Sequence, residues 1–152
     1  MEKTNPPRKM ADLAARLLAE GATAGSFAIG GNGAADDLHR LICLNGQYQV
    51  AYMERGLAHA PEYATEDETE ACTYFYNLIS AQQHWHICGV FVRQDAAKVL
   101  VGRLALLDLH IKTDSVPYTS TARYFRIFVL GRDVFAARKL LGELPIKGKG
   151  VL

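Results

Sequence analysis

Apolar positions recur at three and four residues in four stretches of the chain, and run alternately or almost continuously in several others. These two periods predict its helices and strands. "KMADLAARLLAEG" places Met10, Leu13, Ala14, Leu17 and Leu18 at helical spacing, with Gly21 as the stop. "GSFAIGGNGAADD" reads as a glycine-rich loop with a short strand at Phe27 to Ile29. Two β-rich runs, 39–44 and 47–54, flank Asn45-Gly46, the strongest short hairpin signal because both turn positions need positive φ.

A helix over 66–82 follows, capped by Thr65 with Glu68 reaching back, and Ala71, Cys72, Phe75, Leu78 and Ile79 form its apolar stripe. "HICGVFVR" is a strand. Asp95 then caps a helix over 96–108 that turns Ala97, Leu100, Val101, Leu104 and Leu107 inward. A strand at 109–113 leads into the loop "DSVPYTSTA", and "RYFRIFVLG" is the most strand-like run of all. Asp133 caps a last helix, 134–141, with Val134, Ala137 and Leu141 inward and Gly142 as its stop. Residues 1–9 and 145–152 are expected to be loose termini. A strand, a helix and a returning strand predict an α+β fold: a mixed or antiparallel sheet with helices packed mainly on one face. Residues 1–152 are expected to form a single domain.

Composition changes this picture little. A hydrophobic share of 49% with 22% charged residues is that of a globular chain with a substantial core. The longest apolar run, "VLVGRLALLDL", is broken by Arg103 and Asp108 and is too short for a membrane span. "MEKTNPPRKM" lacks the apolar stretch of a secretory signal. Three widely spaced cysteines, Cys43, Cys72 and Cys88, read as buried thiols in a reducing cytoplasm.

Charge adds more. The net charge of +1 argues against bulk electrostatic binding to nucleic acid or membrane. Residues 1–70, however, hold 6 Lys/Arg against 11 Asp/Glu, whereas residues 71–152 hold 11 against 5. "PEYATEDETE", Pro61 to Glu70, has five carboxylates and no Lys or Arg. Part of that acidity belongs at a helix start, where the backbone dipole favours negative charge. It can also form a docking surface for a basic protein, because acidic clusters accelerate association with such partners. The candidate contact residues are Glu62, Glu66, Asp67, Glu68 and Glu70, with Tyr63 as an aromatic anchor.

Other candidate chemistry is weaker. His84, His86 and Cys88 alternate along one strand and invite a metal reading. Side chains that far apart span about 13 Å at ~3.3 Å per residue, so one ion reaches neighbours but not all three. Val90 and Val92 are expected to share a buried face with Cys88, leaving both histidines at its exposed start. The loop "GGNGAADD" lacks the Gly-Lys-Ser/Thr ending of a phosphate loop, and Asp36 and Asp37 would repel a phosphate. There is no Gly-x-Ser-x-Gly elbow. The expectation is a chain without catalytic residues, metal or cofactor. The alternatives are a small metal- or ligand-dependent enzyme using His84 and His86, and a housekeeping interaction module.

The succession "LNGQYQVAYMERG", "ETEACTYFYNLI", "ICGVF" and "RYFRIFVLGRDVFAARKLL" resembles small cytoplasmic immunity proteins of bacterial polymorphic and contact-dependent toxin systems. The matching positions are Glu54-Arg55-Gly56, then Glu70-Ala71-Cys72 with Tyr74, then Arg126 to Asp133, within residues 39–142. The resemblance implies a stoichiometric inhibitor that binds one cognate toxin C-terminal domain and blocks its active site. The toxins of such systems are diverse and include nucleases; with the acidic segment the expectation is a basic toxin domain, and with the small net charge no direct contact with nucleic acid or membrane. Toxin-contacting residues differ from pair to pair, so none is carried over.

Overall fold

Leu13 and Leu17, one turn apart on the first helix, are fully buried and start a core that is complete within the first half of the chain. A computed structural model describes residues 5–31 and 37–148. By its contacts the chain divides into two compact units, residues 1–82 and 83–152, each with its own sheet and apolar cluster. Where the sequence reading expects one sheet, the α+β fold contains two mixed sheets.

In the first unit, α1 spans Met10–Ala19. It ends where the periodicity says: Gly21 adopts φ 95°, and the Gly21 and Ala22 N–H groups donate to the carbonyls of Leu18 and Leu17. This left-handed stop caps the last turn without side chains. Strand β1 (Phe27–Ile29) runs parallel to β2 (Leu38–Leu44), which forms an antiparallel hairpin with β3 (Gln47–Glu54). Asn45 at φ 52° and Gly46 at φ 77° make the predicted turn.

The far edge of β3 is shared by two strands that the hydrophobic pattern does not reveal, β4 (Leu57–Ala58) and β5 (Tyr63–Thr65). Helix α2 (Glu68–Ser80) lays Ala71, Cys72, Phe75 and Ile79 on the same sheet face as α1. Phe27 meets Phe75 edge-on at 6.4 Å, a contact worth about 0.5–1.5 kcal/mol beyond its buried area. Leu18, expected inward, is 41% exposed, because the stripe is only as wide as Leu13, Leu17 and their half-buried neighbours Met10 and Ala14.

In the second unit, β6 (Trp85–Phe91), α3 (Gln94–Ala105), β7 (Ile111–Pro117), β8 (Arg123–Leu130), α4 (Asp133–Leu141) and β9 (Ile146–Gly148) follow in order. The sheet order is β7-β8-β6-β9, so β8 lies antiparallel between β6 and β7, a split β-α-β unit. Both helices cover the face carrying Ile127 and Val129.

Four details depart from expectation. The tail is not loose from residue 145: Ile146–Gly148 pairs in parallel with β6, while residues 1–4 and 149–152 lie outside the described residues. Strand β7 continues through Asp114, Ser115 and Pro117, which read as loop residues; an edge position tolerates them, and Asp114 faces Arg126 across the ladder. Asp95 and Asp133 do not cap: α3 starts at Gln94, and Asp133 instead accepts the His110 N–H at 2.7 Å. Leu107 lies beyond the end of α3 and is 40% exposed.

The histidine strand holds a further correction. The register slips between Ile87 and Gly89, leaving Cys88 as the extra residue of a bulge. A one-residue slip moves every later side chain to the opposite face. Phe91 is therefore buried at 2%, whereas Val90 is half-buried and Val92 is 38% exposed. Gly89 makes room there, since a Cβ would lie 2.6 Å from side-chain atoms of both Leu100 and Phe91 and would force them to shift.

Candidate functional site

The acidic segment is built on two short elements. Glu62 donates its N–H to the Val50 carbonyl at 2.9 Å, and Tyr63, Ala64 and Thr65 then pair with Val50, Gln49 and Tyr48 of β3. This tether ends where α2 begins. The cap lies two residues beyond the predicted one: Asp67, not Thr65, accepts the Glu70 N–H at 3.0 Å. Thr65 braces that cap by accepting the Asp67 N–H at 3.1 Å and donating its hydroxyl to Glu70 at 2.9 Å. Loss of such a cap costs about 1 kcal/mol.

Tyr63 stacks flat on Tyr74, with centroids 4.1 Å apart and planes 3° off parallel. Tyr74 donates its hydroxyl to Glu62 at 3.4 Å, and the other Glu62 oxygen stands 3.2 Å from the His39 ring. Glu68 accepts the Tyr48 hydroxyl at 3.2 Å and pairs with Lys9 at 3.3 Å. Burial, reinforced by Glu62, raises the pKa of the Tyr74 hydroxyl; burial and Glu68 do the same at Tyr48. Both phenols therefore keep the proton they donate to a carboxylate.

The six proposed contact residues thus separate by role. Asp67, Glu68 and Glu70 are tied into the start of α2, and Glu62 into its far partners. Exposed Glu66 makes no hydrogen bond or ion pair with a described residue. Tyr63, Glu70 and Tyr74, with Thr69, Thr73 and Asn77, line a shallow open depression of about 440 Å³.

His39, Tyr48 and Tyr74 are parts of this surface that the sequence reading did not assign to it. They come from β2, β3 and α2, and no spacing in the sequence links them to residues 62–70. The same face continues along a row in which the Tyr52 ring lies 5.1 Å from His39 and 5.4 Å from His59, with Glu54 2.9 Å from His59. His39 and His59, which have no partner at motif spacing, are each brought against Tyr52 by strand pairing.

The other candidates are dispersed. His84 is 7% exposed rather than at an exposed strand start, and it precedes β6; its carbonyl accepts the Gly131 N–H at 2.7 Å. Cys88 faces the core, where burial raises its thiol pKa to about 11, and Cys72 is raised to about 11 for the same reason. Cys43, by contrast, is exposed rather than buried. Among the described residues, no three His, Cys, Asp or Glu side chains gather around a possible metal position.

Of the loop "GGNGAADD", residues 32–36 lie outside the described residues. Asp37 accepts the Arg55 N–H at 3.1 Å and so steadies the Arg55-Gly56 turn. Among the described residues, no helix is long and apolar enough to cross a membrane. No protein-family model, curated protein or solved structure matches this chain.

Proposed function

We propose that the chain is a cytoplasmic immunity protein that binds the basic C-terminal domain of a cognate bacterial toxin and blocks its active site stoichiometrically. The carrying observation is the β5–α2 surface. Stacked Tyr63 and Tyr74 rings form a rigid centre, tied carboxylates surround it, and Glu66 points its charge at solvent with no described partner. Aromatic residues in a preformed surface make strong anchors, and carboxylates around them steer a basic partner into register. Because strand pairing and capping already fix the segment, little ordering entropy is lost on docking.

The resemblance through Glu54-Arg55-Gly56 and Arg126 to Asp133 supports the same reading. Those positions serve the fold here: Arg55 and Gly56, at φ 52° and 80°, turn β3 into β4, and Gly131 at φ 54° turns β8 into α4. The contact residues of an inhibitor would lie elsewhere, as proposed.

Co-expression with the C-terminal domain of the protein encoded directly upstream tests the reading. A one-to-one complex that restores growth is expected. Failure of the two to co-purify, with no rescue of growth, would overturn it.

A further inference from the structure

A second depression, of about 440 Å³, lies wholly within the second unit. Gln94, Ala97, Lys98 and Val101, at positions i, i+3, i+4 and i+7, form one face of α3 along one side. Thr113 and Ser115 of β7 and Phe125 and Ile127 of β8 form the other. The floor is apolar: Ala97 and Ile127 are buried, and Val101 and Phe125 are half-buried. At Ala97 the helix offers only a methyl group, so a gap remains where a longer side chain would reach β8.

The polar groups are unevenly committed. Asp114 and Arg126 also border the depression, but strand alternation turns their side chains to the sheet face opposite Ile127, where they neutralise each other through two bonds of 2.7 and 2.6 Å. The Ser115 hydroxyl oxygen accepts from Arg123 at 3.0 Å and keeps its own proton to donate. Lys98 is exposed, and neither its side chain nor that of Thr113 makes a hydrogen bond or ion pair with a described residue. An apolar floor with a few convergent polar groups, at a volume within the usual ligand range of about 300–1,000 Å³, is the form of a small-molecule site.

We propose that this depression binds a small amphipathic carboxylate, its apolar body on Ala97, Val101, Phe125 and Ile127 and its head between the Lys98 ammonium and the Thr113 and Ser115 hydroxyls. One unpaired cation with hydroxyl donors suits a single negative charge. A doubly charged phosphate would have only Lys98 to balance it. The site shares no residue with the β5–α2 surface, so it stands or falls independently of the proposed toxin partner.

The test is an amide-resolved NMR titration of the whole chain with cinnamate, using cinnamamide as the neutral control and inorganic phosphate as the bare anion. Saturable shifts are expected at Ala97, Lys98, Thr113 and Ile127. Binding should weaken about tenfold for cinnamamide and about tenfold for Lys98→Ala, the usual effect of removing a charge-assisted contact. Thr113→Trp, at an exposed strand position, should fill the gap and abolish the shifts, with the thermal midpoint checking its fold. Lys98→Ala, also at an exposed site, keeps the test decisive if the tryptophan variant does not fold. The proposal is overturned if cinnamate gives no saturable shifts, if cinnamamide or Lys98→Ala matches the parent affinity, or if phosphate reproduces the pattern.

Discussion

In residues 1–82, eleven carboxylates stand against six Lys/Arg; in residues 83–152, five stand against eleven. The structural division therefore coincides with the charge division, since residues 71–82 carry no charged side chain. The two units also hold their excess charge differently. In the first, carboxylates are fixed by tyrosine hydroxyls, a helix cap and a histidine. In the second, cations lie over aromatic rings: Lys112 over Trp85 at 4.6 Å and Phe128 at 5.2 Å, and Arg126 over Phe128 at 5.3 Å. Charge used for structure is largely satisfied in place. Among the charged side chains left over for a partner are Glu66 in one unit and Lys98 in the other.

Substitutions at four positions sharpen this comparison. The largest effect is expected in the second unit, where Gly89→Ala forces a methyl against Leu100 and Phe91. It should destabilise by about 1–3 kcal/mol in denaturant titrations. In the first unit, Asp67→Ala removes the cap of α2 and should cost about 1 kcal/mol, a loss Asp67→Asn would largely restore. Gly102→Ala, in the same helix that Gly89 packs against but with open space around it, should instead stabilise by about 0.5–1 kcal/mol.

The smallest effect concerns the Asp114–Arg126 pair. The Arg126 hydrogen bond holds the Asp114 carboxyl below the ordinary aspartate range. Its contribution is therefore present above that range and is lost as pH falls through the lowered value. Asp114→Asn should cost about 0.5 kcal/mol at neutral pH, because both side chains are more than one-third exposed. Once the pH is below that lowered value, variant and parent should unfold alike, since the carboxyl is then protonated in both states.

The helices were legible because each buries a stripe of apolar residues at spacings of three and four, and the first hairpin because Asn45-Gly46 has few other uses. Of the elements of two or three residues, Phe27–Ile29 was legible as an apolar run inside a glycine-rich loop, but Leu57–Ala58, Tyr63–Thr65 and Ile146–Gly148 were not, because only the neighbouring strand makes them strands. The bulge at Cys88 was invisible for a related reason. Alternation reads correctly on either side of it, and only pairing with β8 shows the slip.

At the candidate surface, the acidic residues were evident from composition. Their separation into tied and available groups was not, because Tyr74, Tyr48 and His39 reach them from distant parts of the chain. The cap moved from Thr65 to Asp67 because pairing with Tyr48 holds Thr65 in β5.

The most direct measurement is the affinity of the upstream-encoded toxin domain for Glu66→Lys at low and high salt. Glu66 makes no described bond, so the variant should unfold at the parent's midpoint, and any loss reports the partner alone. The account predicts binding weakened about tenfold at low salt, with the gap closing as added salt shortens the Debye length to about 3 Å near 1 M. Equal affinity for variant and parent at low salt, with growth protected equally, would contradict it.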